Sequence, residues 1–232
     1  MLGLALAAAV STTNVVTSRG GQPLVVYAAA PSDKPLVLLL SGEGGWRSFD
    51  DALAGRLAAR GYTVGGVDCL RYFHTAQDDR AALAKDVTLF ADALAAAVKA
   101  KAPARVILAG YSFGADLAPW VAGARERDPR IAALVLIGPD KVGSLQARLS
   151  ELLGFHPTDH VFDTAEALAG AKDLPVLFVH GGDDEESDAP ALSLGFPGRK
   201  RLVIVPGTHH FSGHLDALEA ALADGLATLL PK

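Results

Sequence analysis

Cysteine is nearly missing from this chain of 232 residues, where Cys69 stands alone. One cysteine cannot form an internal disulfide, and it excludes every metal site built on several thiolates. Its expected place is in or near the core. Basic runs are missing too, and the net charge is −5. Binding to nucleic acid through phosphate neutralisation is therefore not expected. No internal repeat or low-complexity linker interrupts the chain. Half of the residues are hydrophobic, ample for one core in a chain of single-domain length. A membrane-spanning run is also lacking: the apolar stretch at residues 1–10, MLGLALAAAV, is too short to cross a bilayer. It resembles the apolar region and small-residue cleavage zone of an export signal, without the basic residues that usually precede them. The expected organisation is an apolar segment over residues 1–12 and one domain over 13–232. A periplasmic home follows if the segment is an export signal, and a cytoplasmic one is the alternative.

What is present is a regular alternation. Residues 15–18 and 24–28 read as an opening hairpin across Arg19-Gly20-Gly21-Gln22. Residues 36–40, LVLLL, form a continuous apolar run, as a strand covered on both faces should. Further strands are expected over 62–67, 106–109, 132–137, 176–179 and 202–205. Helices are expected over 49–60, 80–100, 115–124 and 215–229, the second ending before Pro103. Strands alternating with helices imply a mainly parallel sheet with helices on both faces. Ligands of such sheets bind at the carboxyl ends of the strands.

The sharpest motif lies at one such end. Val106 to Ala109 leads into Gly110-Tyr111-Ser112-Phe113-Gly114, and a helix-forming segment follows. Strand, Gly-x-Ser-x-Gly and helix together are the context of a nucleophile elbow. Five residues alone are a cheap match in a chain with 24 glycines. The plain alternative is a strand-to-helix turn with a serine cap. The deciding question is whether the chain also supplies a base, an acid and an oxyanion hole in hydrolase order.

It does. The last strand ends in Pro206-Gly207-Thr208-His209-His210-Phe211, and a histidine after the final strand is what the order Ser…Asp/Glu…His demands. The preceding strand ends in His180-Gly181-Gly182-Asp183-Asp184-Glu185-Glu186, where the acid belongs. Asp184 is the first choice, with Asp183 and Asp140 as alternates. The acidic loop, with Asp188, also carries hard oxygen ligands for Ca²⁺, but it lacks EF-hand spacing. For the oxyanion, one N–H is expected from Phe113 and one from Glu43 in the loop Ser41-Gly42-Glu43-Gly44-Gly45-Trp46. That loop is not a phosphate loop, since no Lys-Ser/Thr follows it. Glu43, Trp46, Arg71, Tyr72, Tyr111 and Asp116 are expected to line the substrate site. An internal Asp68–Arg71 or Asp116–Arg71 salt bridge is the plainer reading of Arg71.

Read in order, SGEGGW, VDCLRYF, GYSFGAD, IGPD and HHF resemble the VirJ/AcvB group of bacterial α/β-hydrolases, over residues 35–211. The resemblance implies an α/β-hydrolase fold with Ser112 as nucleophile and an acid at Asp183 or Asp184. It favours His210, the histidine followed by an aromatic, as base, with His209 behind it. It implies a largely periplasmic family, and a serine hydrolase working through an acyl-enzyme is expected to need no metal or organic cofactor. Some members remove the aminoacyl group from lysyl- or alanyl-phosphatidylglycerol; others are linked to type IV secretion and virulence. The expected partner is a small-molecule or lipid ester, reached through contact with a membrane surface. On such a substrate, Glu43 or Asp116 would meet the ammonium and Arg71 the phosphate. The rivals are a general carboxylesterase or thioesterase, and a non-catalytic binding protein of a secretion machine.

Overall fold

The computed structural model describes residues 9–101, 103–148 and 158–230. Residues 1–8 of the apolar N-terminal segment therefore lie outside the described residues. The boundary expected after residue 12 falls inside a strand. β1 (Ala9–Thr17) pairs antiparallel with β2 (Gly20–Ala28), so that Ala9 to Thr12 face Val25 to Ala28. The hairpin turn is shorter than expected. Gly20, at φ +82°, opens β2, and the Thr17 hydroxyl donates to its carbonyl at 3.0 Å.

After the hairpin come β3 (Leu36–Leu40), α1 (Ser48–Ala59), β4 (Val64–Val67), α2 (Cys69–Tyr72) and α3 (Arg80–Ala97). β5 (Val106–Tyr111), α4 (Phe113–Ala122), β6 (Ile131–Ile137), β7 (Val142–Ser144) and β8 (Val161–Asp163) follow. The chain closes with α5 (Thr164–Gly170), β9 (Val176–Gly181), α6 (Ala189–Gly195), β10 (Lys200–Val205) and α7 (Leu215–Leu229). Eight strands make one sheet in the order β1-β2-β4-β3-β5-β6-β9-β10. From β4 to β10 every pairing is parallel; the hairpin is the antiparallel edge.

The apolar run at β3 is explained by two cores, one on each face. Leu36, Leu38 and Leu40 enter the cluster under α3 and α4. Val37 and Leu39 enter the cluster under α1 and α7, with Leu53, Leu57, Leu218, Leu222 and Leu226. Period-two alternation sends neighbours to opposite faces, so a strand between two helical layers must be apolar throughout. Cys69 is fully buried, and burial pushes its thiol well above the ordinary value. β7 and β8 form a separate antiparallel two-stranded ribbon, and residues 149–157 between them lie outside the described ones.

Candidate active site

Ser112 is half-buried at the end of β5, with φ 52° and ψ −121°. A side chain rarely tolerates this backbone, and such strain persists only where its surroundings enforce it. Here they do. A Cβ on Gly110 would run into the backbone of Gly114, and a Cβ on Gly114 into the carbonyl of Leu40. The Ser112 N–H donates to Ile137 O at 2.8 Å, and Ala115 N–H donates to Ser112 O at 2.7 Å. The hydroxyl thus stands at the N-terminus of α4, where the helix dipole favours developing negative charge.

The histidine that reaches it is His209. Its Nε2 lies 2.9 Å from Ser112 Oγ, and its Nδ1 lies 3.0 Å from Asp184 Oδ2. His210, expected as the base, instead places Nδ1 2.7 Å from the Tyr111 hydroxyl and is exposed. The reason is the turn. Phe211 N–H donates to Thr208 O at 3.0 Å, so the two histidines are the central residues of one tight turn and diverge. Phe211, at φ 49°, is fully buried with Phe49 beside it, which anchors the turn in the core. Gly138 leaves room for the ring, since a Cβ there would lie 2.9 Å from His209 Cε1.

Asp184 is buried, and each of its oxygens is engaged. Oδ1 accepts from the N–H groups of Glu186 and Ser187 at 3.0 and 3.1 Å, leaving Oδ2 for the imidazole. Burial pushes this carboxyl up, but the His209 hydrogen bond and charge and the two amides outweigh it, so its pKa falls. For His209, burial disfavours the cation, yet the Asp184 bond and charge, with Glu186 and Glu43 behind them, raise its pKa overall. With Nδ1–H donating to an ionised Asp184, Nε2 remains the acceptor for the serine proton. The arrangement can therefore take a proton from Ser112 and hold it as an imidazolium.

Opposite the elbow, the β3 loop closes on the serine. A Cβ on Gly42 would touch the Tyr111 ring at 3.5 Å and Ser112 Cβ at 3.7 Å. Among the described residues, no protein acceptor takes the N–H of Phe113 or of Glu43. Two backbone donors beside a serine can hold a carbonyl oxygen as it gains charge. The Glu43 side chain enters the same space, with Oε2 3.4 Å from Ser112 Oγ.

Several expected site residues are committed elsewhere. Asp183 is exposed; its N–H donates to Gly207 O, and it is not the carboxylate on His209. Asp140 accepts from Val142 N–H and shares a hydrogen bond with Asp188, while burial pushes its pKa up. Asp116 is buried and accepts from Asp140 N–H at 2.8 Å, inside the fold rather than in the site. Tyr72 is buried against Phe73 and Phe90, its hydroxyl on Asp86, and forms part of the core. Trp46 lies over Gly66 and Tyr27 and donates to Asp51 at 2.7 Å, which makes it a packing residue of the sheet face. Asp68 accepts from the backbone N–H of Arg71 as the cap of α2; among the described residues no ion pair joins the two side chains. Tyr111 does line the site, its ring between Phe49 and His209. Among the described residues no group of three or more His, Cys, Asp or Glu side chains is placed to hold a metal ion.

Phe49, Gly138 and Phe211 were not among the expected residues, though each shapes the site. Phe211 alone had a visible signal, an aromatic in an otherwise polar loop. The sheet order, the elbow and the loops at the strand ends define an α/β-hydrolase fold. Solved structures share it across nearly the whole chain. Est1E from Butyrivibrio proteoclasticus superposes with a TM-score of 0.67 at 20% identity, covering 95% of this chain and 99% of its own. A serine hydrolase without a lid from Xanthomonas campestris gives 0.63 at 21% identity, covering 96% of each chain. A dienelactone hydrolase from Anabaena variabilis gives 0.70 at 20% identity, covering 97% of this chain and all of its own. Within that fold, residues 34–229 match the model of the bacterial virulence protein family VirJ, and the chain belongs to that family. No curated protein matches the sequence significantly.

Proposed function

We propose that this protein is a serine hydrolase that cleaves carboxylic esters through an acyl-enzyme. The observation that carries this reading is the continuous chain Asp184–His209–Ser112, ending on a strained, accessible hydroxyl beside two free backbone N–H groups. In the proposed reaction, His209 Nε2 takes the Ser112 proton as Oγ bonds to the ester carbonyl carbon. The N–H groups of Phe113 and Glu43 receive the oxyanion. Collapse expels the alcohol, which takes the proton back from His209. Water then repeats the sequence on the acyl-enzyme and releases the acid. Asp184 keeps the imidazole in the required tautomer and stabilises its charged form.

The substrate we propose is an aminoacyl ester of phosphatidylglycerol, of lysyl or alanyl type, met at a membrane surface in the periplasm. It is supported by membership of the VirJ family, by the resemblance of the motifs to the VirJ/AcvB group and by the carboxylate of Glu43 beside the serine. Among the described residues, no helix is long and apolar enough to cross a membrane. Arg71, exposed on α2, whose Leu70 lies beside Gly45 of the Glu43 loop, is the candidate for the lipid phosphate. Incubation with a panel of aminoacyl-phosphatidylglycerols and simple acyl esters, followed by mass spectrometry, tests the reading. Release of free amino acid by wild type and not by Ser112→Ala is expected. Turnover of simple esters alone would leave a general carboxylesterase in its place.

A further inference from the structure

We infer that Glu43 is the specificity-determining residue of this site, receiving a positive charge carried on the carbon next to the scissile carbonyl. The inference rests on the ester-hydrolase reading and adds the group that selects among esters. Glu43 Oε2 is 3.4 Å from Ser112 Oγ. When Oγ bonds to the carbonyl carbon, a substituent on the adjacent acyl carbon lies three bonds from Oγ. A side chain half-exposed at that distance meets such a substituent directly.

Among the described residues, Glu43 has no ion-pair partner. Arg47, four residues on in the same loop, spends its Nε–H on Gly44 O at 2.7 Å. The one hydroxyl proton nearby has a closer acceptor in His209 Nε2, at 2.9 Å. The carboxylate faces the reaction centre, 3.4 Å from Ser112 Oγ, with no ion pair among the described residues.

That placement penalises a neutral acyl group. An oxyanion forming beside an unpaired carboxylate is opposed by like charge. An ammonium on the acyl carbon sits between the two anions and cancels the penalty. Discrimination of this kind works by repelling the wrong substrate as much as by holding the right one. Three other carboxylates near the site are engaged elsewhere. Asp116 accepts from Asp140 N–H, Asp140 accepts from Val142 N–H, and Asp184 is held by His209 and two amides.

Glyceryl esters of alanine and of isobutyric acid differ only by an ammonium against a methyl group, and they test the inference. At about pH 6, below the usual α-amino range, the ammonium is charged. Protonation of His209 slows both esters alike and leaves their ratio intact. Wild type is expected to favour the alanyl ester by about tenfold or more in kcat/KM. Glu43→Gln should bring the ratio close to one, partly by speeding the isobutyryl ester, and Glu43→Asp should keep most of the preference. Labelling of Ser112 by a fluorophosphonate reports separately on the hydrolase. If wild type is labelled but shows no preference, or hydrolyses neither ester, the inference is overturned while the hydrolase reading stands. A preference that survives Glu43→Gln overturns it too. Absence of labelling in wild type overturns the hydrolase reading and the inference with it.

Discussion

Ser112 and His209 lie 2.9 Å apart, yet they arrive there by different physics. The serine is placed locally. Two glycines within two residues allow the backbone overlap, and the strained φ of 52° turns the hydroxyl outward. The histidine is placed from a distance. Its turn is pinned by Phe211 in the α1–α7 core, its ring rests against Gly138 of another loop, and its Nδ1 finds Asp184 of a third. Local sterics can be read from five consecutive residues. A choice between two adjacent histidines depends on which one the tertiary packing turns inward.

The largest expected effects strike both ends of the proposed relay. Ser112→Ala and His209→Gln should each lower kcat by about 10³-fold or more, with little change in stability. Steady-state hydrolysis beside thermal unfolding checks this. If His209→Gln kept most of the activity, the contrast between the two histidines would fail.

Asp184→Asn should cost about 10³- to 10⁴-fold in kcat, because the imidazole loses its tautomer and its counter-charge. It also has a pH signature. The base works when neutral, so wild-type activity should rise with pH through a His209 pKa above the ordinary histidine value. Without Asp184, burial dominates, and the limb should move to lower pH. Stability follows by linkage. The raised His209 pKa stabilises the fold below the unfolded histidine value, and this is lost as pH rises through the folded pKa. The lowered Asp184 pKa stabilises above the unfolded aspartate value, and this is lost as pH falls through the folded pKa. A rate profile that did not move in Asp184→Asn would break the link between acid and base.

Phe211→Ala tests the remote placement. Emptying a fully buried aromatic site should cost about 3–5 kcal/mol of stability, and kcat should drop even where the protein remains folded. Denaturant unfolding with parallel kinetics measures both. The smallest effect belongs to His210→Gln. It removes a hydrogen bond to Tyr111 worth about 1 kcal/mol, or under tenfold in rate.

The same contrast explains what could be read from the chain. Periodicity was enough for β3, because a strand between two helical layers is apolar throughout. α7 falls on residues 215–229 as its pattern suggested. The four residues of α2 and the three-residue strands β7 and β8 carry no period long enough to detect. At the site, motif order brought Ser112 and Asp184 into view. Tyr72 and Trp46 misled, because aromatics near a loop look alike until the core claims them. For His209 and His210 the local cue, an aromatic after His210, pointed to the wrong ring, because the packing of Phe211 and the space beside Gly138 decide which one turns inward.

The proposed relay is tested most directly by reacting wild type, His209→Gln and His210→Gln with a fluorophosphonate and following intact mass over time. One adduct on Ser112 is expected in wild type and His210→Gln at similar rates, and almost none in His209→Gln. Equal labelling of His209→Gln, or a silent His210→Gln, would contradict it.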